Sequence, residues 1–122
     1  MDLQTQRSLE EFLRLSDLCP GRVEARMEFS LPPFRLYIEY TQDRVLLSLA
    51  HPVEACRRFS TLKALLGHCH PASTQGVALR AYIVGDQQML SGALVPDSNV
   101  TQWIEYLKCM RRLLERHAGD RQ

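Results

Sequence analysis

What constrains this chain most is the order of its segments: a helix, three strands, a helix, two strands and a helix fill 122 residues with little room for loops. That order, α-β-β-β-α-β-β-α, points to one α+β domain over residues 1–122, a twisted and mostly antiparallel sheet with helices packed against it. A chain of this length buries roughly two-thirds of its unfolded surface around one core. It needs no covalent staple to fold.

The periodicities behind that order are explicit. Leu9, Phe12, Leu13 and Leu18 recur at helical spacing through Leu3 to Leu18, and Pro20-Gly21 ends the segment. Val23 to Phe29 alternates apolar and charged residues without a break, the pattern of a strand with one buried face. Pro32-Pro33 interrupts, and the alternation resumes from Phe34 to Tyr40, with Thr41-Gln42-Asp43 as a turn. A third strand runs from Arg44 to Ala50, and its run Val45-Leu46-Leu47 suggests that both faces are covered. The second helix is expected from Pro52, a residue suited to a first helical turn, through Val53, Cys56, Phe59, Leu62, Leu65 and Leu66 to Gly67. After a loop over residues 68–76, Val77 to Val84 and Gln88 to Val95 read as a hairpin turning at Gly85-Asp86. Pro96-Asp97-Ser98 holds the expected N-cap of a closing helix, whose stripe is Val100, Trp103, Ile104, Leu107, Met110 and Leu114.

Composition narrows the partners. Fifteen Lys and Arg against fourteen Asp and Glu leave a net charge of +1, so no long-range field advertises nucleic acid or an anionic membrane. Arg111, Arg112, Arg116 and His117 gather near the C-terminus, where cations complement a helix macrodipole. Cys19, Cys56, Cys69 and Cys109 lack CxxC spacing, the N-terminus carries no secretory pattern, and no apolar run approaches the roughly 18 residues of a membrane span. A soluble protein of a reducing cytoplasm is expected.

No motif carries chemistry. His68-Cys69-His70, with His51 and Cys56 elsewhere, resembles a metal site, yet adjacent residues point in different directions and rarely converge on one tetrahedral ion. There is no G-x-S-x-G, no glycine-rich phosphate loop, and Ser48 and Ser91 fall inside strands rather than at a nucleophile elbow. Phe34, Tyr37 and Tyr40 do not make a base-stacking platform, because Phe34 and Tyr40 share a face with Leu36 and Ile38 that is too apolar for it. The expectation is a protein that binds other proteins, with no catalytic residue, no metal and no cofactor.

Taken together, the segment order and size resemble the class I type III secretion chaperones, small bacterial proteins that escort secreted effectors or gatekeeper proteins. The resemblance runs through the helix Leu3–Leu18, the strands from Val23 to Ala50, the helix Pro52–Leu66, the hairpin Val77–Val95 and the helix Asn99–His117. It rests on topology, since the family has no short diagnostic motif. It implies a cytoplasmic chaperone that binds the N-terminal segment of its client without ATP and keeps it soluble and secretion-competent, in the service of virulence. It also implies a homodimer, or a heterodimer with a second chaperone, joined through the second helix and neighbouring strands. On this chain the implied dimer contacts are Phe59, Leu62, Leu66, Leu79 and Ala81, and the implied client contacts Leu9, Phe12, Val23, Met27, Phe29, Leu36 and Ile38. Those chaperones are usually distinctly acidic, whereas this chain has a pI near 7.7. A heterodimer whose other subunit carries the acid would reconcile the two.

Two other readings compete. Roadblock or longin adaptors also combine a five-stranded sheet with flanking helices, but place the middle helix after two strands, as here only if Phe34 to Ala50 were one strand. A small enzyme would need a site assembled around His51, His68 or His70.

Overall fold

The computed structural model describes residues 1–18, 22–70, 78–95 and 97–118. Helix α1 (Leu3–Leu15) is followed by strands β1 (Arg26–Leu31), β2 (Phe34–Thr41) and β3 (Arg44–Pro52), a 3-10 turn (Ala55–Arg57) and helix α2 (Arg58–Leu66). Strands β4 (Leu79–Val84) and β5 (Gln87–Ala93) and helix α3 (Val100–His117) complete the chain. The α+β architecture is the one the periodicities imply. All pairings are antiparallel, in the order β1-β2-β3-β5-β4, so β1 and β4 are the edges.

Several boundaries differ from the sequence expectation, each for a local reason. Helix α1 starts on an Asp2 carboxylate that accepts the Thr5 N–H at 2.7 Å. It stops at Leu15, short of Leu18, because Asp17 turns left-handed (φ 63°) and the Leu18 N–H folds back on the Leu13 carbonyl at 2.8 Å. This double back-bond, with Asp17 N–H on Arg14 C=O, is a Schellman stop, and it drives Leu18 into the core. The Pro20-Gly21 stop lies outside the described residues.

Pro32-Pro33 does not interrupt a strand; it is the tip of the β1–β2 hairpin, with Leu31 paired to Phe34. Strand β1 therefore occupies Arg26–Leu31 rather than Val23–Phe29, and Ala25 contributes only a carbonyl to the Tyr40 N–H. Gln42 and Asp43, both with positive φ, make the two-residue β2–β3 turn, whose twist suits a hairpin. His51 and Pro52 extend β3 opposite Gln88 and Gln87 instead of opening the second helix. A proline is tolerated at the strand's last position because no further ladder bond needs its N–H. The second helix starts only after the 3-10 turn. Asn99, not a residue of Pro96-Asp97-Ser98, caps α3 through a reciprocal pair with Gln102, at 2.9 and 2.8 Å.

Because strand side chains alternate, the register sorts the sheet into two faces. Met27, Phe29, Leu36, Ile38, Leu47, Leu49 and Leu90 point to one side, where α3 lies against β3 and α2 against β4 and β5. Helix α1 packs on α3, with Phe12 edge-on to Trp103 at 5.9 Å between ring centres. This side is the core. The opposite face has no described helix on it. Val45 and Leu47 are buried, but Leu46 between them is only half-buried, so β3 is not covered on both faces as its apolar run suggests.

Replacing Leu36 with Ala should cost about 2–5 kcal/mol in denaturant unfolding, the range for a cavity in a packed core. Leu46→Ala, on the open face, should cost less than half of whatever Leu36→Ala costs. Equal losses would mean that the second face is covered.

Candidate protein-binding surfaces

Two surfaces of the folded chain expose apolar groups in a concentrated way. The first is the outward side of α2. Its inward positions Thr61 and Leu65 are buried, which turns Phe59 (81% exposed) and Leu66 (56%) to solvent, with Lys63 between them. Seven residues apart, they lie on one helical stripe.

The second is the open face of the sheet. Along its centre run Ser48, Ala50, Met89 and Ser91, all buried although no described helix covers them. They are shielded by larger neighbours on the flanking strands, including Tyr37 on β2 and Tyr82 on β4, so the face is hollowed along its middle. One hollow of about 490 Å³ lies between Arg26, Tyr37 and Glu39 on one side and Tyr82, Val84 and Met89 on the other. A second, of about 720 Å³, lies over the far end of β5. The hydroxyls on this face satisfy one another: Tyr82 Oη and Ser91 Oγ are 2.7 Å apart, and Ser91 Oγ donates to Ser48 Oγ at 2.8 Å. With those groups paired, the floor makes little polar demand on whatever covers it.

The residues named from the resemblance divide sharply. Leu9, Phe12, Leu36 and Ile38 are fully buried core residues, so they cannot touch a client while the chain is folded. Val23, Met27 and Phe29 are half-buried at the margin of the same core, Met27 and Phe29 on the helix-covered side of edge strand β1 and Val23 in the segment before it. Phe59 and Leu66 are exposed and Leu62 is half-buried. Leu79 is buried and Ala81 half-buried in the core on the side where α2 lies, so neither joins Phe59 on one surface.

Sequence reasoning names none of Tyr37, Leu46, Tyr82, Val84 and Met89 as a protein contact. The available signal was apolar residues at the second-face positions of β3, β4 and β5. In β2 the same face reads Arg35, Tyr37, Glu39, which looks like an ordinary solvated one.

His51 and His68 have separate surroundings. His51 is buried, its Nδ1 2.7 Å from the Pro52 carbonyl and its ring edge-on to Phe34 at 5.2 Å. His68 instead faces His117, with ring centres 4.9 Å apart. Among the described residues no three His, Cys, Asp or Glu side chains are placed to hold a metal ion. Burial first, then the neighbouring His68 and Arg116, pushes His117 below the ordinary histidine value, and its Nε2 is buried without a hydrogen-bond partner. Burial likewise pushes the Cys69 thiol up, and its Sγ lies 3.3 Å from the Leu65 carbonyl.

The fold is that of a type III secretion chaperone-like domain. The chain belongs to the SsaM family, whose model matches residues 2–117. Among solved structures it is similar to YbjN, a putative transcription regulator from E. coli. That similarity has a TM-score of 0.60 at 12% identity, over 98% of this chain and 90% of that one. It is a likeness of fold. No curated protein matches the sequence significantly.

A lowered folded-state value at His117 means that the unfolded chain takes up a proton more readily than the folded one. Stability should therefore be fullest above pH 6.5, the unfolded value, and decline as the pH falls below it toward the folded one. Thermal melting across that range should show the decline, and His117→Asn should flatten it. An unchanged slope in the variant would assign the effect to another group.

Proposed function

We propose that this protein is a non-enzymatic chaperone of type III secretion. It binds the N-terminal segment of a secreted effector or gatekeeper protein in the bacterial cytoplasm, keeping it soluble and secretion-competent without ATP. The observation that carries this reading is family membership over residues 2–117, in a type III secretion chaperone-like family. The surface is consistent with it: Phe59, Leu66, Tyr82 and Val84 are large apolar groups left exposed on a well-packed domain, on α2 and β4. Exposed apolar residues gathered in this way mark protein contacts.

Helix α2 and the β1 edge divide the work. Helix α2 offers Phe59 and Leu66 to a second subunit, either another copy or a second chaperone. Met27 and Phe29 on β1, with Val23 in the segment before it, are half-buried beside a free sheet edge, where an extended client segment gains main-chain pairing as well as side-chain contact. The roadblock or longin order does not fit, because the turn at Gln42-Asp43 makes two strands of Phe34 to Pro52 and the middle helix follows three.

Co-expression with secreted proteins of the same system, followed by light scattering on the eluted complex, should give two chaperone-type subunits with one client. Protease should spare the client only near its N-terminus. Phe59→Glu with Leu66→Glu should abolish the subunit pairing, since losing an interface aromatic anchor commonly costs about 2 kcal/mol or more. Far-UV circular dichroism should be unchanged, because both side chains face water in the single chain, and melting should lose the dependence on protein concentration that pairing confers. A wild-type protein that stays monomeric and holds none of these clients would end the proposal.

A further inference from the structure

The open face of the sheet is electrostatically uneven. Toward β1 and β2 its charges are used in pairs, Arg26 with Glu39 at 3.6 Å and Arg35 with Glu28. The hollow at the other end, about 720 Å³, has Arg44 and Arg80 in its lining and no acidic residue. Both arginines are exposed, and among the described residues neither is in an ion pair.

Its shape is set by the register. Ser91 and Ala93 of β5 form a floor of small side chains, with Leu46 of β3 opposite Ala93 on one side and Arg80 of β4 opposite Ser91 on the other. Strands β3 and β4 stand one strand to either side of β5, hence about 10 Å apart, close to the 10–12 Å diameter of a helix with its side chains. An extended segment is a poor occupant. The floor's main-chain groups are already spent in the sheet, and the Ser91 hydroxyl is bonded to Ser48 and Tyr82, so a strand's own N–H and C=O groups would go unpaired. A helix satisfies those groups internally.

We propose that this trough receives an amphipathic helix of another protein, apolar over Leu46, Tyr82 and Val95 and acidic where it meets Arg44 and Arg80. The occupant is not this chain's own exposed stripe: α2 carries Lys63 between Phe59 and Leu66 and no acidic residue anywhere in Arg58–Leu66, so like charges would meet. Helices α1 and α3 each carry both signs. The inference rests on the reading of the protein as one that binds another protein, and it gives the sheet face a role separate from the β1 edge.

The test uses the full-length protein, nitrogen-15 labelled, and two synthetic helical peptides of about 16 residues, the helix length that matches a seven-residue strand. They share one Leu and Ala face and differ only in carrying Glu or Lys on its flanks. The Glu peptide should shift the amides of Leu46, Arg80, Tyr82 and Ala93 and bind about tenfold or more tightly than the Lys peptide. R44E with R80E should reverse that preference, and Ala93→Trp, which fills the floor, should remove binding of both without lowering the melting temperature. Equal affinities, shifts confined to the Phe59 and Leu66 stripe, indifference to these variants, or no binding would each overturn the proposal. So would a change in the sedimentation mass of the protein alone with R44E and R80E, which would make a second copy the occupant. The two readings fail separately. A client complex untouched by R44E and R80E, with no peptide in the trough, removes the trough and leaves the chaperone. Peptide binding in the trough by a protein that holds no secreted client does the reverse.

Discussion

The rest of the structure depends on how α3 covers the middle of the sheet. Its inward residues Trp103, Tyr106, Leu107, Met110 and Leu114 are all buried. Each contributes on the order of 1.5–3 kcal/mol by leaving water. Helix α1 reaches the fold chiefly through α3, with the Phe12 and Trp103 rings at the joint, and the indole N–H of Trp103 is tied to Ser98 Oγ at 2.8 Å. At the other end Arg111 lies over the Phe34 ring at 5.4 Å, and Arg57 donates to the His117 carbonyl at 3.4 Å. The long helix is thus fastened to the segment before it, to β2 and to the turn preceding α2. Only one side of the sheet can be served this way.

An antiparallel sheet tolerates that asymmetry, because its main-chain groups are satisfied within the ladder and one face is free to meet solvent. What is unusual is the furniture of the free face. A merely solvated face would carry charges throughout, whereas here Ala50, Met89 and Ser91 are buried in a hollow that no described helix fills. Small central residues between larger flanking ones leave a channel rather than a plane. The sequence encodes that channel as directly as it encodes the core.

Much of the fold was legible because strand alternation and helical spacing are strong local signals. Met27, Phe29, Leu36, Ile38 and Leu49 fall on the helix-covered face by parity alone. The boundaries were harder, since they are set by single events invisible to periodicity: the left-handed turn at Asp17, the continuation of β3 through Pro52, the Asn99 cap. The site was less legible for a deeper reason. Core and binding residues are both apolar and both obey the same period, so Leu9, Phe12, Leu36 and Ile38 could stand for either until burial placed them inside. The same holds for the dimer contacts: Phe59 and Leu66 stay exposed, while Leu79, named with them, is buried.

Net charge concealed a further part. A total of +1 suggests an electrostatically quiet molecule, but the sum averages unlike regions. Acids and bases are paired on β1 and β2, and again within α1 and α3, as Glu11 with Arg14 and Glu105 with Lys108. Neither apolar surface holds an acid of its own: α2 has Lys63 and Arg58 with none in the helix, and the trough over β5 has Arg44 and Arg80 with none in its lining, Asp2, Asp43 and Asp97 lying in the neighbouring hollow that Arg44 also borders. Both surfaces therefore set positive charge beside exposed or half-buried apolar groups, and the net charge of the whole chain hides it.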